Sequence, residues 1–184
     1  SGDYINNSFF AYQGLTPSRD DFLSVAMQNI VTGCACMVNR SAICYSLPFS
    51  PHAILHDWWL ALITSHFGHI VYIPFPYVSY RQHNSNVVGA PGIYQLYAQR
   101  MRGLISSSID IDSLIGPSLR QLYNFNVRYP NSNESINSRI KCLFSLNPFK
   151  RLYSALSLGL SKNGPLRTIL FYVLFISWKP SHQP

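Results

Sequence analysis

Between residues 22 and 109 the sequence holds a single carboxylate, Asp57, with His56 before it and Trp58 and Trp59 after it. An ionised carboxylate is costly to bury unpaired, so a lone Asp among aromatics is exposed, caps a helix or is kept for a chemical task. The task open to it is general base catalysis, because the dipole at a helix start favours the carboxylate form that accepts a proton, for instance from a sugar hydroxyl. Aromatic rings beside it offer flat apolar faces of the kind that carbohydrate C–H groups stack against. Asp is equally a preferred N-cap, and capping alone accounts for it here. The two roles are compatible, and the tetrapeptide does not choose between them.

Other reactive side chains form weaker patterns. His52, His56, His66, His69 and His83, with Cys34, Cys36 and Cys44, lack the ligand spacing of a closed tetrahedral zinc site. The four cysteines show no C-x-x-C pair and no disulfide density, which fits a reduced cytoplasmic setting. Asp110-Ile111-Asp112 has the letters of a metal-binding Asp-x-Asp but sits in a Ser-rich stretch late in the chain. Asp20-Asp21 read as the start of a helix.

The elements that must position Asp57 follow from periodicity. Apolar residues at 59, 62, 63 and 67 predict a helix over 57–67 that begins at or beside Asp57 and is closed by Gly68. Residues 30–38 read as a buried strand interrupted by Gly33, a sign of close backbone approach. Residues 70–73 and 77–80 read as short strands separated by Pro74 and Pro76, and 81–89 as a polar loop. Strand, helix, strand, strand is an α/β pattern. Beyond Gly92 the reading turns helical, with 93–107 and 113–125 as candidates and a polar break at 129–138. The run 168–178 is eleven apolar or neutral residues between Arg167 and Lys179. A spanning helix needs about 20 apolar residues, so this run predicts an interfacial or docking helix.

Charge separates the two parts of the chain. The formal net charge of +7 comes from the second part: residues 1–99 net −1 and residues 100–184 net +8. No zinc-finger spacing, Gly-rich RNA motif or dense Lys/Arg run accompanies it, which argues against nucleic acid. Scattered cations near an apolar run fit the anionic cytoplasmic leaflet instead. The expected placement is therefore peripheral, at the inner face of the cell membrane. The chain opens at Ser1 with no basic-then-apolar leader, and further sequence upstream is expected.

Three motifs, QNIVTGCACMVNR (28–40), HDWWLALITSHFGHIVYI (56–73) and YRQHNSNVVGA (80–90), resemble in order and spacing the bacterial family 2 glycosyltransferases, most closely the rhamnosyltransferase branch of cell-surface polysaccharide synthesis. The likeness begins at residue 6 and fades after about residue 105. It implies the C-terminal, acceptor-side half of an inverting GT-A domain over 1–105, followed by a mainly helical, basic tail over 106–184. It makes Asp57 the catalytic base and puts Thr32, Gly33, His56, Trp58, Trp59, Arg81, Gln82 and His83 on the substrates. Thr32-Gly33-Cys34 would lie under the donor sugar, and Arg81 and His83 in a loop over the diphosphate, His83 completing the shell of a divalent cation (Mg or Mn). Alone, Arg81 would read as a surface or core-paired residue and His83 as an ordinary loop residue. The implied partners are a nucleotide-sugar such as dTDP-rhamnose and a glycan or lipid-linked acceptor. The family's Asp-x-Asp is missing from its expected position, so the donor-binding half is expected upstream and the chain alone is expected to be inactive. The alternative reading is a non-catalytic, membrane-associated domain.

Overall fold

The computed structural model of the chain describes residues 5–81 and 110–180. Along it run α1 (Phe9–Gln13), α2 (Phe22–Met27), a 3-10 turn (Gly33–Ala35), α3 (Arg40–Ser46), α4 (His56–Phe67), α5 (Ile111–Arg128), α6 (Glu134–Cys142), α7 (Pro148–Ser157) and α8 (Pro165–Ser177). Most starts carry a side-chain cap that satisfies an orphan N–H of the first turn. Ser8, Asp21 and Asn39 cap the first three helices, and Asp110, Asn133 and Asn147 cap α5, α6 and α7. α7 and α8 each also begin with Pro at the first turn, where its missing N–H costs nothing.

α4 lies at the centre of the N-terminal part, packed on α2 and α3, while α2 also packs on α5. α5 then carries α6 and α8, and α7 bridges those two. The apolar stripe of α4 is Trp59, Leu62 and Ile63, all essentially inaccessible, and it meets Leu119, Leu122 and Phe125 of α5 in one core. Further along, Phe144, Phe175 and Trp178 stack edge and face to continue that core to the end of α8. Asp112 ties the far end shut. It pairs with Arg120 at 2.9 Å and accepts from Trp178 Nε1 at 2.8 Å, and the Arg120 hydrogen bond holds its carboxyl below the usual range. Asp110 accepts from the Asp112 amide as the α5 cap, so both oxygen-bearing groups of the late Asp-x-Asp are occupied in structural roles.

The expected α/β fold, the C-terminal half of a GT-A domain, is overturned: the described residues form helices and coil, with no strand among them. A strand requires its backbone N–H groups to go to a neighbouring strand. In 30–38 they go elsewhere. Val31 N donates to Asn29 Oδ1, Gly33 N to Asp57 and Ala35 N back to Thr32 O, which coils the segment into the 3-10 turn. In 70–80, Pro74 and Pro76 carry no N–H at all, and Tyr77 N turns back onto Phe75 O at 3.1 Å, so the run is exposed, bent coil. The helical reading of the second part holds for its described residues: 113–125 lies inside α5, and 168–178 lies largely in α8. The candidate helix at 93–107 and the division at 105/106 lie outside the described residues. None of the described helices is long and apolar enough to cross a membrane.

Candidate functional site

The segment before α4 is apolar, and Leu55 stands at the N-cap with no side-chain bond to offer. Asp57, two residues on, lies in the first turn and supplies what the cap lacks: its Oδ1 accepts from Trp58 N at 2.7 Å. The same oxygen accepts from Asn29 Nδ2 at 3.2 Å, and Oδ2 accepts from Gly33 N at 2.9 Å. The half-buried carboxylate thus clamps the 29–33 coil onto the start of α4. A carboxylate presents about four lone-pair positions, and the donors among the described residues take three of them, leaving the fourth, on Oδ2, without a donor from those residues.

Gly33 makes this approach possible. A Cβ there would stand 2.9 Å from His56 Nε2 and 3.4 Å from Asp57 Oδ2, so any larger residue displaces the histidine ring. The close approach read from the sequence is therefore real, although it is made to a helix start and not within a sheet.

A cavity of about 1070 Å³ opens beside the carboxylate, at the upper edge of the size range of small-molecule sites. One wall is Asn29, Thr32, Gly33, His56, Asp57 and Trp58. Phe9 and Tyr80 add aromatic faces, and Phe171 and Leu174 of α8 close the far side. Two cations also line it. Lys162 donates to Met27 O, while Arg167 donates to Gly14 O at 3.1 Å and Gln13 O at 2.5 Å, closing the end of α1. Cys36, just behind the wall, donates to Gly33 O. Burial, then the nearby Asp57 charge, then Cys34 push its thiol pKa up, away from thiolate chemistry.

The structure brings Thr32, Gly33, His56, Asp57 and Trp58 to one cavity. Trp58 is oriented there by its indole N–H, which donates to Val25 O at 2.6 Å. Trp59, expected at the substrate, is corrected to the core. It is fully buried, donates to Ser46 O at 3.1 Å and meets Phe125 edge to face. Arg81 is exposed and lies outside the described wall of the cavity, and Gln82 and His83 lie outside the described residues. Asn29, Phe9 and Phe171 carry no mark in the sequence, and Lys162 and Arg167 read there only as cations of the basic tail. Asn29 sits inside the first motif, but its role depends on α4 coming to meet it, and the others arrive from remote segments with no local signal.

A divalent cation needs several oxygen ligands at once. Among the described residues no three His, Cys, Asp or Glu side chains gather around one point, and three of the Asp57 lone pairs already face N–H donors. The described residues of this wall do not by themselves form a cation shell. No known protein family, curated protein or solved structure matches the chain, so the glycosyltransferase resemblance stands on its three motifs alone.

Proposed function

We propose that the chain serves in glycosyl transfer, with Asp57 as the base. The remaining lone pair on Oδ2 takes the proton of an acceptor hydroxyl while the hydroxyl oxygen attacks the anomeric carbon of a nucleotide-sugar; the bond from that carbon to the nucleoside diphosphate breaks, the diphosphate departs, and the carbon is inverted. The observation that carries this reading is a carboxylate fixed by three donors at the wall of a large cavity with aromatic faces. Trp58, Tyr80 and Phe9 are suited to the C–H faces of a sugar. The donor, taken as dTDP-rhamnose, and the acceptor, a surface polysaccharide or lipid-linked glycan, come from the sequence resemblance, as does the role of Arg81, Gln82 and His83 at the diphosphate. The cytoplasmic face of the membrane is the corresponding workplace.

A second reading has its own support: the three donors to Asp57 all come from this chain, as expected of a clamp in a non-catalytic module. Transfer from dTDP-rhamnose to a lipid-linked glycan acceptor, measured for a full-length enzyme containing this segment and for its Asp57→Asn and His56→Ala forms, separates the two. Loss of a general base lowers turnover by roughly 10²–10⁴-fold. Near wild-type turnover of folded Asp57→Asn ends the base assignment, and a larger loss in His56→Ala moves it to the histidine.

A further inference from the structure

The helical hairpin α7–α8 carries an apolar surface that the fold leaves uncovered. The helices run antiparallel: Arg151 of α7 donates to Ile176 O and Trp178 O at the end of α8, while the Tyr172 hydroxyl reaches Ala155 O and Leu160 O. Along α7, Phe149, Tyr153 and Leu156 recur at helical spacing and are more than half exposed, Phe149 at 80 %. Along α8, Leu166, Ile169, Val173 and Ile176 do the same, Val173 at 56 %. Leu156 follows Ala155 and Val173 follows Tyr172, one step of about 100° away from the seam on each helix. Equal rotation on two antiparallel helices puts both stripes on the same side of the hairpin.

The surroundings of this platform are cationic. After Glu134 the sequence has seven Lys and Arg and no Asp or Glu. Lys141, Lys150 and Lys179 are exposed among them, Lys150 on α7 itself and Lys179 just past the end of α8. Arg139 and Arg151 are turned inward to backbone carbonyls and leave the apolar stripes uninterrupted. The buried side of α8, with Phe171, Leu174, Phe175 and Trp178, belongs to the core and the cavity wall. The run 168–178 is therefore two-faced, and α8 separates the cavity from the exposed stripe.

We propose that the paired outer stripes of α7 and α8 are a docking surface for an anionic lipid bilayer, entering the headgroup and upper acyl region while the flanking lysines meet lipid phosphates. Charge selects this occupant: exposed Lys150 and Lys179 flank the stripes and the segment that carries them has no Asp or Glu after Glu134, which complements an anionic surface, and an apolar face with basic flanks is the pattern of in-plane interfacial helices. Each helix is about 15–20 Å long, suited to lying in the interface and too short to span it. Docking leaves the cavity uncovered, because its α8 lining residues lie on the opposite face from Leu166, Ile169, Val173 and Ile176.

Co-sedimentation of the whole chain with phosphatidylcholine vesicles, with and without about 30 % phosphatidylserine, tests the surface. Binding is expected on the anionic vesicles and should fall with added salt, since surface charge is screened over about 8 Å at physiological ionic strength. Phe149→Ser and Val173→Ser, each from one stripe, should each weaken binding roughly tenfold, because each removes a buried apolar side chain from the lipid. Lys150→Gln with Lys179→Gln should lower binding and flatten its salt dependence. Both serine positions are exposed, so thermal unfolding should stay near wild type and show that the variants are folded. Absence of binding by the wild type, unchanged binding in both serine variants, or a wild-type dimer that they convert to monomer without any vesicle affinity would each overturn the proposal, the last in favour of a second copy of the chain.

Discussion

Asp57→Asn is the sharpest perturbation, and the structure changes what it should do. Asn is as good as Asp at an N-cap, so a residue that merely caps would tolerate the change. Asp57 instead accepts on both oxygens, from Trp58 N and Asn29 Nδ2 on one and from Gly33 N on the other. An amide has one accepting oxygen. Turned toward the two donors on the Oδ1 side, it sets its NH₂ against the Gly33 amide, and one half-buried donor loses its partner. Such a loss costs about 1–3 kcal/mol. For a domain of this size each kcal/mol lowers Tm by roughly 2–4 °C, so the drop should lie between about 2 and 12 °C. Calorimetry measures it, and hydrogen exchange localises it, with the Gly33 amide losing protection first. Asn29→Ala should couple to Asp57→Asn in a double-mutant cycle, because the two share a bond. An unchanged Tm with full Gly33 protection would refute the clamp. The loss stays below a typical total stability of about 5–15 kcal/mol, so the variant remains mostly folded. A fall in turnover of 10²-fold or more in that variant therefore cannot come from unfolding.

Two further outcomes follow from neighbouring geometry. Gly33→Ala should shift stability by less than about 1 kcal/mol, because the exposed His56 ring can swing away, whereas Gly33→Val also presses on the pinned Asp57 and should cost about 1–3 kcal/mol in urea unfolding; equal costs would show that the ring, not the carboxylate, sets the limit. His66 is packed edge to face against Phe22, Phe67 and Phe125, and burial lowers its pKa from 6.5. Its neutral form is the folded one, so its contribution is full above about pH 6.5 and is lost as pH falls below that toward the lowered folded value. His66→Phe keeps the ring contacts and should flatten Tm between pH 7 and 5, and an unaltered slope would place the titration elsewhere.

The helices were legible because their signal is local. Residues 59, 62, 63 and 67 set the phase of α4, and its start fell within one residue of Asp57. That phase already held the correction for Trp59, which shares a stripe with Leu62 and Ile63 while Trp58 lies off it. The strands failed because a short apolar run reads alike whether or not a neighbour accepts its N–H groups. In 30–38 those groups found Asn29 and Asp57 side chains and a 3-10 turn, and only tertiary structure could supply that. The outer stripe of α7 was missed because Phe149, Tyr153 and Leu156 are spread through a polar segment and become a surface only beside α8.

The clamp and the base draw on the same atoms, and the geometry separates what each explains. A clamp with donors on both oxygens already demands a carboxylate, so the identity of Asp57 alone is no evidence for catalysis. It does not demand that the carboxylate stand at the wall of a cavity, with Trp58 and Tyr80 on the same lining. Those features are what a base requires: a fixed acceptor, held by bonds that need no rearrangement when the proton arrives, beside space for the group that gives it. Three intrachain donors would then be the means by which the last position is aimed. Asn29→Ala weighs this directly. It removes one donor and leaves the carboxylate, so a clamp that is only structural predicts a modest loss of stability with no effect on turnover per folded molecule, and an aimed base predicts that turnover falls as well.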